Sequence, residues 1–164
     1  MFGNIVKNDE DFCMLCFLFI LQQLIKNMNK TFFIVDDDLD DQELFIEAVS
    51  EVDKSISCIS ASNCEEALDL LKNRKIDLPD MIFLDLNMPR LNGKQCLAEL
   101  KRVSELKHIP VIIYSTSSEK RDIEETSRLG AAHFLTKPNK FEELCKALTF
   151  VVSKDWNPVS NQHS

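Results

Sequence analysis

Four polar pieces stand at the ends of four short apolar runs, and together they could handle a phosphoryl group. Asp36, Asp37 and Asp38 follow Phe32-Phe33-Ile34-Val35, Asp85 follows Met81-Ile82-Phe83-Leu84, and Ser115 follows Val111-Ile112-Ile113-Tyr114. Lys137, with Pro138 after it, closes the run that holds Phe134 and Leu135. Gathered carboxylates repel one another until a hard cation sits among them, and Mg2+ prefers such oxygen donors. A lysine and a hydroxyl added to that set can neutralise and orient the oxygens of a mobile dianion. That is the equipment for phosphoryl transfer involving a carboxylate. Each piece also has a plainer reading. The acids Asp36, Asp37, Asp38, Asp40 and Asp41 could form a solvated helix N-terminus, and Lys137 could be a surface lysine before a turn proline. Their fixed order, each at the end of a strand-like run, favours the site.

Such a site needs a scaffold that brings separate strand ends together. From Thr31 onward, apolar runs of strand length alternate with stretches of helical period, the pattern of a parallel sheet covered on both faces. Strands are expected at 31–35, 55–60, 81–84, 110–114 and 133–135. Helices are expected over 40–51, with Leu44, Ala48 and Val52 on one face and Phe45 and Val49 beside them, and over 63–73, opened by the capping box Ser62-x-x-Glu65. A third starts at Gly93 and carries Leu97, Leu100 and Val103, and a fourth covers 118–129 with Gly130 closing it. The last runs from about 141 to 152 on Leu144, Leu148 and Val151. Ligands of open parallel sheets bind beyond the C-terminal strand ends, where all four polar pieces lie.

The 164 residues, 45% of them hydrophobic, allow one domain with a sizeable core, and a net charge of -8 argues against a nucleic-acid partner. Glycines at 3, 93 and 130 cannot supply a dinucleotide-binding Gly-x-Gly-x-x-Gly. Cys13-x-x-Cys16 has the spacing of a zinc or redox pair, but it has no second pair and sits in an apolar run. Cys58, Cys64, Cys96 and Cys145 are read as small core fillers of a chain in a reducing compartment. The apolar run Phe12 to Leu21 is too short to span a bilayer, and the acids before it have the wrong charge for a signal peptide. Residues 1–28 are therefore expected to be an extension, a misassigned start before Met28 being favoured over a helix for dimerisation or membrane contact. Residues 1–27 should be dispensable for folding, and 153–164 read as a polar tail.

Asn29 to Val152 resembles the receiver domain of two-component response regulators. The resemblance rests on Ile34-Val35-Asp36-Asp37-Asp38, on Phe83-Leu84-Asp85-Leu86-Asn87-Met88-Pro89-x-Leu91-Asn92-Gly93, on Pro110 to Ser115, and on Gly130-Ala131-Ala132 through Thr136-Lys137-Pro138. It is nearest to the stand-alone regulators whose fifth strand ends in Thr-Lys-Pro. It implies a flavodoxin-like, doubly wound α/β fold of five βα units with strand order 2-1-3-4-5. It also implies that Asp85 is the phosphoacceptor and that Asp36, Asp37, Asp85 and the backbone carbonyl of Asn87 hold Mg2+. Asp38 could replace one of the pair, although the position directly after the apolar run favours Asp36 and Asp37. Lys137 would neutralise phosphoryl oxygens, its peptide bond to Pro138 being cis, and Ser115 would swing in as the switch hydroxyl. Phe134 stands where many members carry a switching tyrosine, as a steric switch or a plain core residue. Tyr114 departs from the usual aliphatic residue.

The function implied is phosphorelay signalling in the cytoplasm, with no enzymatic activity beyond self-catalysed phosphoryl transfer and dephosphorylation. The partners implied are a histidine kinase or phosphotransfer protein and an unknown downstream protein. No nucleic acid or membrane is expected, and a homodimer is left open. Two rivals remain. Asp36-x-Asp38 also fits haloacid-dehalogenase-type phosphatases, but those need a further acidic motif beyond the lysine, where only the helical Glu142 and Glu143 occur. A degenerate receiver acting only as a binding module would not need the complete set of acids.

Overall fold

Along each inner strand, neighbouring side chains point to opposite faces of the sheet, and here both faces are apolar. We describe the fold from a computed structural model, which covers residues 14, 16–18, 20, 21, 29–89 and 92–156. The Cys13-x-x-Cys16 pairing, the start at Met28, Leu91 and the tail after Trp156 lie outside the described residues. The elements in order are β1 (Thr31–Val35), α1 (Leu39–Val52), β2 (Ser57–Ala61), α2 (Cys64–Lys72), β3 (Met81–Leu84), α3 (Gly93–Arg102), β4 (Val111–Ser115), α4 (Lys120–Arg128), β5 (His133–Thr136) and α5 (Phe141–Ser153). All strand pairs are parallel, in the order β2-β1-β3-β4-β5. This is the flavodoxin-like, doubly wound arrangement expected from the sequence.

Phe33, Val35, Ile82, Leu84, Val111 and Ile113 face α2 and α3, meeting Ala67, Leu71, Leu97 and Leu100. Phe32, Ile34, Phe83, Ile112 and Tyr114 face α1 and α5, meeting Phe45, Ala48, Val49, Leu144, Leu148 and Val151. The Phe83 ring sits 5.2 Å from that of Phe32 and 4.6 Å from that of Phe45. Burial of each such side chain contributes roughly 1.5–3 kcal/mol, so the three central strands form a stiff platform. The strand order reverses between β1 and β3, so the crevice for a ligand opens above their C-terminal ends.

Several local expectations shift. β2 starts two residues later than expected because Ser55 is held in a turn, its N–H and hydroxyl both donating to Asp53 Oδ1 at 2.9 and 2.7 Å. The cap of α2 lies one residue on: Asn63 accepts from the Glu66 N–H, and the Ser62 N–H donates to the Glu66 carboxylate, each at 2.8 Å. Leu44 is exposed, because the buried stripe of α1 runs through Gln42, Phe45, Ala48 and Val49. Gly130 follows α4 at φ +96°, a left-handed conformation that suits glycine.

Cys64 and Cys96 do fill the core, but as a disulfide joining α2 to α3. Their spacing along the chain gave no sign of this, since pairing depends on two helices lying side by side. Two of the four cysteines expected as free core fillers are thus paired, while Cys16, Cys58 and Cys145 are free. Closing 32 residues in this way stabilises by about 3–4 kcal/mol on a chain-entropy argument. After alkylation in denaturant without reductant, the peptides holding Cys64 and Cys96 should remain joined and should separate on reduction. Separate, alkylated peptides would mean two thiols.

Candidate functional site

The ladders of the sheet run on past the strand ends and fix where the acids emerge. The Asp36 N–H donates to Ala61 O at 3.1 Å, and the Asp85 N–H to Val35 O at 2.9 Å. Both side chains are buried. Asp38 is used differently. It caps α1, its carboxylate accepting from the N–H groups of Asp40 and Asp41 at 2.9 and 3.3 Å. Among the described residues, Asp36, Asp37 and Asp85 each offer a carboxylate oxygen within 4.8 Å of the others.

Lys137 Nζ bonds Asp36 Oδ2 and Asp41 Oδ2, each at 2.6 Å, and stands 3.9 Å from Asp85 Oδ1. Its N–H donates to Ser115 O at 2.8 Å, which aims the residue without help from the proline. The expected cis bond to Pro138 does not occur, since no cis peptide is present among the described residues. The Lys137 ammonium also lies 5.3 Å from the centre of the Tyr114 ring.

Charge is poorly balanced here. Burial pushes the Asp36 carboxyl above its ordinary value, against the pull of the Lys137 hydrogen bond. Burial likewise raises Asp85, with Lys137 again opposing. Burial acts to lower Lys137, but its bonds to Asp36 and Asp41 outweigh that and raise it. Burial also pushes the Tyr114 hydroxyl up to about 12, so the phenol stays neutral. Asp85 Oδ1 is fully buried and has no hydrogen-bond partner. A buried acceptor with no partner, beside two further carboxylates, fits a hard divalent cation.

Ser115 is buried at the end of β4. Its hydroxyl accepts from Asn87 Nδ2 at 3.4 Å and from the Ser117 N–H at 3.3 Å. The Asn87 N–H donates to Asp85 Oδ2 at 3.2 Å. Phe134 lies away from the acids, packed against the core on the α2 and α3 side.

The sequence profile of the response regulator receiver domain matches residues 32–149. The chain belongs to this family. The polar-differentiation response regulator DivK of Brucella anthropi is 32% identical over 68% of this chain and 86% of its own length. The Mn2+-bound form of response regulator Rcp1 superposes with a TM-score of 0.68 at 28% identity, covering 76% of this chain and 92% of that one. The phosphorylated cyanobacterial phytochrome response regulator RcpA gives a TM-score of 0.72 at 29% identity, covering 79% and 99%. Two further relatives are matched over less of their own length: 51% of Rcp1 from Synechocystis and 33% of a protein-glutamate methylesterase/protein-glutamine glutaminase from Methanococcoides burtonii. No helix among the described residues of the receiver is long and apolar enough to cross a membrane.

Sequence reasoning about the receiver missed Asp41 as a partner of the lysine, and it missed Gln42. The buried Gln42 amide donates to Asp36 O at 2.7 Å and Ala61 O at 3.4 Å, holding the loop after β1 to the end of β2. Its only signal was a polar residue one turn before Phe45 on the apolar stripe. Gly93 was read as a helix start, but it matters more for space. A Cβ there would stand 2.2 Å from Asp85 O and 2.6 Å from Leu86 Cα. Gly93→Ala must therefore push α3 off the Asp85 loop, at a cost of about 1–3 kcal/mol. Thermal melts should show that loss, and an unchanged melting temperature would refute the close approach.

Proposed function

We propose that the chain accepts a phosphoryl group on Asp85 from a histidine kinase or phosphotransfer protein and passes the signal on through altered protein–protein contacts. The single observation behind this is the buried Asp85 Oδ1, which has no hydrogen-bond partner and lies 3.9 Å from the Lys137 ammonium and beside Asp36 and Asp37. Two structural neighbours support the reading, one being Mn2+-bound and the other phosphorylated. Mg2+ would be held by Asp36, Asp37, Asp85 and the backbone carbonyl of Asn87. When bound it would screen the charge between the carboxylate and the incoming dianion.

The chain's own groups then have defined tasks. A carboxylate oxygen of Asp85 forms the bond to phosphorus while the phosphorus–nitrogen bond of the donor's phosphohistidine breaks. The departing imidazole takes up a proton. Lys137 exchanges a carboxylate partner for a phosphoryl oxygen. Ser115 must release the donors Asn87 and Ser117 before its hydroxyl can turn toward the phosphoryl group. Phe134 lines a hollow of about 290 Å3 with Ile123 and Thr126, which gives its ring room to move as a steric switch. Hydrolysis of the acyl phosphate resets the state, and no activity beyond this self-catalysed chemistry is proposed.

The phosphatase alternative needs a nucleophile at Asp36 and a free carboxylate at Asp38. Asp38 is occupied as a helix cap, and Asp36 is ion-paired to Lys137. The test is incubation with acetyl phosphate, with Mg2+ or with EDTA, followed by intact mass and peptide mapping. One phosphoryl group should appear at Asp85 only when Mg2+ is present, and Asp85→Asn should abolish it. Equal labelling in EDTA, or a label lost in Asp36→Asn but kept in Asp85→Asn, would contradict the proposal.

A further inference from the structure

Of the five helices that flank the sheet, α4 buries the fewest residues. Thr126 is the only buried residue of α4, while Ile123 is exposed. Between α4 and β5 lies the hollow of about 290 Å3, lined by Ile123, Thr126, Ser127, Ala131 and Phe134 among others. Glu119, the N-cap residue, makes no side-chain cap bond. Apolar burial, which fixes the other helices, does little to fix this one.

What ties α4 down is charge. Lys94, in the first turn of α3, places Nζ 2.7 Å from Asp122 Oδ1 and also bonds the Glu125 carboxylate. Glu125 is held from its other side by Arg121 Nε at 2.7 Å. The second Asp122 oxygen accepts from the Ser117 hydroxyl, which in turn accepts from the Glu119 N–H at 3.3 Å. The Ser117 N–H donates to Ser115 Oγ. A continuous path therefore runs from Lys94 through Asp122 and Ser117 to the switch hydroxyl. Its other end is firm, because α3 starts with a reciprocal cap between Asn92 and Gln95 and Gly93 abuts the Asp85 carbonyl.

The pairs are also shielded. Lys94, Asp122 and Glu125 are 29%, 20% and 32% exposed, against 91% and 51% for the neighbouring pair Lys120 and Glu124, which is stretched to 3.8 Å. Exposed pairs of the latter kind are worth little, whereas a shielded ammonium shared by two carboxylates is screened less.

We propose that Lys94 is a latch: its ion pairs to Asp122 and Glu125 hold α4 and the loop after β4 in the resting position and so oppose the movement of Ser115. This deepens the phosphoacceptor reading and rests on it. When Ser115 turns toward a phosphoryl group, Ser117 loses the acceptor of its N–H, and its hydroxyl is tied to a helix that Lys94 restrains. Removing the restraint shifts the population toward the switched form, so any ligand that selects that form binds more tightly. Lys94 is a positioning residue and touches none of the reacting atoms.

The experiment is titration of the full chain with BeF3-, a phosphoryl mimic, in saturating Mg2+, alongside a separate Mg2+ titration. Lys94→Met should bind BeF3- about three- to tenfold more tightly than the wild type, with Mg2+ affinity unchanged. The direction is diagnostic, because deleting a positive charge would by itself weaken the binding of an anion. Lys94→Gln should act in the same sense, which keeps the test alive should the methionine variant fold poorly, and Lys94→Arg should restore wild-type behaviour. Unchanged or weaker BeF3- binding in both neutral variants would overturn the latch alone. A wild-type chain that neither binds BeF3- nor labels at Asp85 would overturn the phosphoacceptor reading and the latch with it.

Discussion

One ammonium serves three carboxylates. Lys137 bonds Asp36 and Asp41 at 2.6 Å and stops 3.9 Å short of Asp85, while Asp37 lies in the same cluster. Everything around this imbalance serves to maintain it. The continued ladders fix the backbone of Asp36 and Asp85, Gln42 pins the loop after β1, and Gly93 lets α3 press against the Asp85 carbonyl. The folded pKa values of Asp36 and Asp85 are raised chiefly by burial. A carboxylate raised in this way costs the fold stability at neutral pH. That cost shrinks as pH falls through the folded pKa and is gone below the unfolded one. The pocket is thus held in a state that an added cation relieves.

Rigidity and mobility divide along the same lines as burial. The inner strands are apolar on both faces and clamp the acids in place, with α1 and α5 on one side and α2 and α3 on the other. The disulfide between Cys64 and Cys96 adds a covalent tie between two helices on the stiff side. α4 has no comparable anchor, and it is the helix connected to Ser115. A receiver needs both properties: a fixed site for the chemistry and one loosely held element that can report it.

Much of this was legible in the sequence for a definite reason. A parallel strand buried on both faces reads as a nearly continuous apolar run, so 31–35, 81–84 and 110–114 stood out, each followed by its polar residue. What was not legible depends on neighbours distant in the chain. Asp41 looked like one acid in a run until α1 turned it toward Lys137, 96 residues away. Nothing in the sequence singled out Lys94, because its two carboxylate partners come from α4. The role of Asp38 was a local question, and the answer lay in whether its carboxylate faced the N–H groups of Asp40 and Asp41. Leu44 was misplaced because α1 turns its polar Gln42 inward to hold the acid loop, which rotates the stripe.

The account stands on the claim that the acid pocket is short of positive charge and takes up a divalent cation. Thermal unfolding at neutral pH with and without Mg2+ tests it most directly. Mg2+ at ten times its dissociation constant should stabilise the fold by about 1.4 kcal/mol. In a domain of this size that raises the melting temperature by about 3–6 °C. The rise should shrink in Asp37→Asn, whose exposed side chain can be changed without disturbing the core. A melting temperature that does not move with Mg2+, or one that moves equally in Asp37→Asn, would contradict the account.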